Sequence, residues 1–194
     1  TSWYERAMAK GVSSGPALTL IEGGRTSTET AGPAFTLRRV QPTPAERYVT
    51  CVPLVPLKVA AGAFGDTQVL DDDDREWVAL DGRTRPAPGL FVAQVIGESM
   101  NRRIPNGAWC LWRLQPGEPE PGAVVLAQHD DIQDTDLGEY AVKVYAPEKV
   151  VDEAGEETLV RVVLKPDSRA PGFEPLVFEG GGLRIIAELV EVVG

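Results

Sequence analysis

Seven short runs of branched and aromatic residues, each closed off by Gly, Pro or Asp, govern what this chain can fold into. They are EWVAL (76–80), LFVAQVIG (90–97), AWCLWRL (108–114), AVVLAQH (123–129), EYAVKVYA (139–146), TLVRVVLK (158–165) and LRIIAELVEVV (183–193). Runs of this length and content fit a pleated, half-buried surface better than a helix. Their spacing predicts a mostly β protein of twisted, mainly antiparallel sheets. An earlier apolar run, VTCVPLVPLKV (49–59), carries Pro53 and Pro56. Proline cannot donate to a ladder, so this run is expected only as an extended edge or irregular strand. The final run holds more apolar residues than one face of an edge strand needs. An unpaired apolar edge seeks a partner, which predicts a homodimer through these C-terminal residues.

The first 48 residues read differently. TSWYERAMAK places Ser2 and Glu5 at capping-box spacing and predicts a short helix. Gly11 to Ala34 is rich in glycine, serine and threonine, as an arm or linker is. The expected organisation is an N-terminal arm over 1–48 and one β domain over 49–194.

At 194 residues, the chain can bury a core without metals or disulfides. Cys51 and Cys110 have neither zinc spacing nor a disulfide framework, which suits a reducing cytoplasm. No run is long enough to span a membrane, so no membrane partner is expected. Twenty-nine acidic residues against 19 basic give a net charge of −10. That charge repels a phosphate backbone, so no direct nucleic-acid binding is expected. A chain opening on Thr1 rather than methionine reads as a fragment or a processed form, with room for an upstream domain.

Chemistry enters at FVAQVIGESMNRRIPNG (91–107), where an apolar run meets a glycine and then presents Ser99 at the start of a basic turn. Alone, such a serine reads as a capping residue. EYAVKVYA supplies a second feature. Period-two alternation puts Lys143 on one face with Ala141 and Tyr145, while Val142 and Val144 face the other way. A lysine with an ordinary pKa of about 10.4 is protonated at neutral pH and is no base. Desolvation within an apolar strand lowers it and makes a serine–lysine pair chemically competent without histidine. The plainer reading is a lysine on a solvated face, its stem lying along apolar neighbours. The third feature is VPLKVAAGAFGD, where Ala60, Ala61 and Gly62 form a small-residue loop (about 58–66) that a nucleophile could approach closely.

GESM followed by IPNG, then PGAVVLAQ, then YAVKVY, resembles the C-terminal peptidase domain of the LexA/UmuD family of self-cleaving serine–lysine proteases. The resemblance covers roughly Val49 to Gly194. It implies a LexA-like peptidase fold with Ser99 as nucleophile and Lys143 as general base. It further implies an oxyanion site at the amides of Glu98 and Ser99, and Ala61–Gly62 as the scissile bond. The substrate would be the chain itself, no cofactor or metal would be needed, and a homodimer is again expected. The chain has Gly107-Ala108 where that family usually has Gly-Asp, and Val144 where a basic residue commonly follows the lysine. The family's DNA-binding winged helix has no counterpart in residues 1–48. The expected setting is therefore a regulatory module of a larger bacterial stress or defence protein, with a helicase-like or defence domain upstream. The alternative is a catalytically silent docking or dimerisation module of the same fold.

Other motifs carry less. Asp71 to Asp74 lack the alternating ligands and bend glycine of a calcium loop and read as a solvated turn. Gly180 to Gly182 read as a turn before the last strand. Trp109 and Trp112 fall on opposite faces of one strand, as core or dimer-face residues. The single histidine, His129, reads as a surface residue.

Overall fold

Among the described residues, alternation of small, branched and aromatic residues produces ten strands in one sheet. The computed structural model describes residues 37–63, 75–80, 83–114, 117–134, 137–151, 155 and 157–193. The expected helix over 1–10, the arm over 11–34 and the acidic run Asp71–Asp74 lie outside the described residues. The strands are β1 (Arg38–Val40), β2 (Cys51–Leu54), β3 (Glu76–Ala79), β4 (Leu90–Gln94), β5 (Trp109–Leu114), β6 (Val124–Gln128), β7 (Tyr140–Val151), β8 (Glu157–Lys165), β9 (Leu176–Glu179) and β10 (Arg184–Val192). A helix, α1 (Leu57–Ala63), follows β2. The strand order is β1-β3-β2-β4-β5-β10-β6-β7-β8-β9, and every pairing is antiparallel except β2 with β4. The protein is mostly β, as its runs predict.

Four expectations need correction. The sheet begins before residue 49: β1 pairs with β3, Arg39 Nε lies 3.2 Å from Glu76 Oε2, and Leu37 packs against a core cluster. Three residues reading Arg-Arg-Val are too few to show alternation.

The second correction is β2, which is no edge. It lies between β3 and β4, with Pro53 opposite Trp77. The N–H of Val55 donates to Val92 O at 2.9 Å, so odd-numbered N–H groups of β2 point toward β4. Pro53 lacks a donor on that side, where pairing begins only at Leu54 and Val92. The missing bond therefore costs no rung of the ladder.

Third, β10 is paired on both sides, with β5 and with β6. Its apolar residues serve two faces of an interior strand, and the edge argument for a homodimer through it falls. Fourth, the small-residue loop expected over 58–66 is helical as far as Ala63.

The central position of β10 sets the site. Four strand steps separate β4 from β7, about 19 Å in a flat sheet. The register shifts on β10 between Ile185 and Ala187, and between Leu189 and Glu191, the kind of irregularity that increases local twist. One buried cluster spans this region, with Phe91, Trp112, Leu126 and Val142 drawn from four strands and Met100 and Ile104 from the turn after β4. Two further clusters cover the opposite faces near either end, one around Val125, Tyr145 and Leu164, the other around Val52, Val92 and Leu111. Trp112 belongs to the first cluster and Trp109 packs against the last, so the two tryptophans do face opposite ways.

Candidate functional site: a serine beside a buried lysine

Ser99 sits in the connection between β4 and β5. Gly97, three residues past the end of β4, has a φ of 116°, a backbone that L side chains rarely adopt, and its N–H donates to Asn106 Oδ1 at 2.9 Å. The chain then folds into a tight turn. Asn101 N–H donates to Glu98 O at 3.3 Å, and the Arg103 and Ile104 amides donate to Met100 O at 2.9 and 2.7 Å. Met100 and Ile104 are buried in the central cluster and anchor the turn, leaving Ser99 half-buried at its rim.

Lys143 arrives from β7, opposite Val125 of β6. Alternation holds as the sequence predicts: Ala141 and Tyr145 pack in one cluster and Val142 in another. Lys143 is 6% exposed, the one charged or polar residue among the described residues that is buried. Its Nζ donates to Ser99 Oγ at 2.8 Å and to Val142 O at 3.1 Å. Burial pushes the ammonium pKa down, opposed in part by the negative charge of Asp134. The solvated-lysine reading is thereby excluded.

Neither the cysteines nor the histidine forms a comparable pair. Both cysteines are free and buried, and burial pushes the thiol of Cys110 up to about 12 and that of Cys51 above its ordinary value. His129 is half-buried rather than a surface residue. Its ring packs on Phe178 with centroids 4.6 Å apart, and its Nδ1 accepts from the Asp131 N–H at 3.0 Å, away from Ser99. No group of His, Cys, Asp and Glu that could hold a metal ion occurs among the described residues. No helix among them is long and apolar enough to cross a membrane.

Glu98 and Ser99 supply the remaining predicted groups. Among the described residues, neither of their amide N–H groups makes a hydrogen bond, whereas Ser99 O accepts from Asp167 N–H at 2.9 Å. Two free amide donors therefore lie beside the Ser99 hydroxyl.

Ala61 and Gly62 lie in the last turn of α1, helical rather than extended. Leu57 and Ala60 on that helix are buried in the same cluster as Met100 and Ile104, so the segment and the Ser99 turn share one core. Alanine-rich VAAGA fits a helix, and Pro56 fits the position just before it, where a missing N–H costs nothing.

Sequence reasoning missed the groups that hold the turn in place. Asn101 Nδ2 donates to Glu98 Oε2 at 2.7 Å, its Oδ1 accepts from Arg169 N–H at 2.8 Å, and Asp167 contacts both Ser99 and Arg103. The Pro166-Asp167 pair signals only a turn, so nothing in the sequence pointed to it. No protein-family model matches this chain, and no curated protein matches it.

Proposed function

We propose that this chain is a serine–lysine endopeptidase that cuts its own chain between Ala61 and Gly62, as a regulatory module of a larger bacterial stress or defence protein. The observation that carries the reading is the 2.8 Å contact between a half-buried hydroxyl and a buried amine. While Lys143 is charged it donates to Ser99 Oγ. Once neutral, the amine accepts the hydroxyl proton as Oγ bonds to the scissile carbonyl carbon. The amides of Glu98 and Ser99 stabilise the oxyanion. Collapse breaks the C–N bond, and the proton held on Nζ passes to the departing amine of Gly62. Water, deprotonated by the same amine, then releases Ala61 from the acyl-enzyme.

The helical state of Ala61–Gly62 adds a step. A peptide bond is cut from an extended conformation, so α1 must unwind before Ser99 can attack. Seven residues make a helix that is marginal without tertiary contacts, so its main restraints are the buried Leu57 and Ala60.

Intact-mass spectrometry of the purified chain at neutral and alkaline pH tests the reading. Paired fragments 1–61 and 62–194, absent from Ser99→Ala, support it. An uncut chain at every pH refutes it.

A further inference from the structure

Three segments distant in sequence meet at the nucleophile turn, where the Asp167 carboxylate pairs closely with Arg103 and, at 4.0 Å, with Arg102. The connection after β8 runs against the turn. Asp167 N–H donates to Ser99 O at 2.9 Å, and Asp167 O accepts from Arg102 N–H at 3.1 Å, so the main chain of one residue holds the turn at two points. The Asp167 carboxylate lies 2.8 Å from Arg103 Nε. Arg103 Nη1 donates in turn to Gly122 O at 3.0 Å. Gly122 N–H donates to Tyr145 O and Tyr145 N–H to Ala123 O, both at 2.8 Å, so Gly122 is fastened to β7 two residues from Lys143.

We propose that the Asp167–Arg103 pair is a positioning device that fixes the Ser99 hydroxyl against the Lys143 amine, by tying the nucleophile turn to the strand that carries the base. The inference rests on the serine–lysine reading. Neither residue touches a reacting atom, so both are positioning residues. Arginine suits the task because its planar fork reaches a carboxylate and a carbonyl with different nitrogens, whereas lysine offers a single point charge. Arg103 and Asp167 are 45% and 25% exposed in their side chains. Exposed pairs contribute little to global stability, so a geometric role separates cleanly from a structural one. Proton transfer is sensitive to position: a displacement of about 1 Å costs on the order of a hundredfold in rate.

A small fluorophosphonate tests this without requiring any peptide to dock. Ser99 Oγ forms a bond to phosphorus, fluoride departs, and the hydroxyl proton passes to Lys143. Labelling is followed by mass against pH for the parent, Ser99→Ala, Asp167→Asn, Arg103→Lys and the double variant Arg103→Lys/Asp167→Asn, with thermal melts alongside. The parent should label at Ser99 with a rate that levels off at high pH. Each single variant should label at least about tenfold more slowly and lose the plateau, because a separated hydroxyl reacts only through hydroxide. Melting temperatures should stay at the parent value, and the double variant should be no slower than the slower single one. Parent-like rates and plateaus in the single variants overturn the proposal. So does slow labelling that tracks a lowered melting temperature or a lost cooperative transition. A parent that labels no faster than Ser99→Ala sinks the serine–lysine reading and this inference with it.

Discussion

Lys143 Nζ stands 2.8 Å from Ser99 Oγ across a separation of 44 residues, and it does so from a buried position. That relationship fixes the expected pH dependence of cleavage. Burial holds the ammonium pKa below its ordinary value, so the fraction of neutral amine rises with pH earlier than for an exposed lysine. The rate of fragment formation should climb with pH and level off above the depressed pKa. Lys143→Arg should abolish cleavage, because a guanidinium keeps its proton at any workable pH. Parent-like cleavage by Lys143→Ala would sink the serine–lysine mechanism.

The same burial predicts a stability change of definite sign. Lys143 titrates lower in the folded chain than in the unfolded chain. Above the unfolded pKa, of about 10.4, both states hold a neutral amine and the shift costs nothing. As pH falls from there through the folded pKa, the unfolded state gains its proton first, and the folded state loses relative stability. Below the folded pKa the full cost is present. Lys143→Met, which keeps the length and removes the charge, should therefore be more stable than the parent at neutral pH. The advantage should shrink as pH rises toward the unfolded pKa. Chemical denaturation at several pH values measures it, and a variant less stable than the parent at neutral pH contradicts the argument.

Much of this site was legible because it rests on short-range pattern. Alternation in EYAVKVYA put Lys143 on the Ala141 and Tyr145 face, and Gly97 marked the turn that carries Ser99. What was not legible depends on partners far along the chain. Pro53 reads as an edge signal, yet it sits inside the sheet because its missing donor falls where β4 has not begun to pair. LRIIAELVEVV reads as an unpaired apolar edge, because no local pattern reveals that β5 and β6 lie on both sides of it. VAAGA satisfies both a loop next to a nucleophile and a helical turn, and the burial of Leu57 and Ala60 settles it as helix. The ion pair of Asp167 with Arg103 spans 64 residues and left no trace in sequence spacing.

Unwinding of α1 gives a prediction that is independent of the dyad chemistry. Lys58 is an exposed residue of that helix. Lys58→Gly should weaken the helix by about 0.7 kcal/mol, the difference in intrinsic propensity. If the unwound segment is the substrate, its population rises and fragment formation should speed up roughly threefold. An unchanged or slower rate would mean that cleavage does not pass through an unwound α1. Phosphonate labelling of Ser99 in the same variant should match the parent, since the small probe does not depend on the helix.

The turn before β10 offers a control on the fold itself. Gly182 has a φ of 105°, and a Cβ there would lie 3.2 Å from His129 Nε2. Gly181, one residue earlier, has no atom within 4 Å of such a Cβ and no positive φ. Gly182→Ala should therefore lower stability by about 1–3 kcal/mol, through strained backbone and displacement of the His129 ring from Phe178. Gly181→Ala should be neutral or stabilising by up to about 1 kcal/mol, because it restricts the unfolded chain without strain. Denaturant midpoints at constant slope compare the two. Among the described residues, the His129 region shares no hydrogen bond with the Ser99 turn, so Ser99 labelling in folded Gly182→Ala should proceed at the parent rate. A loss of labelling in that variant, with the fold intact, would show that the turn before β10 bears on the site after all.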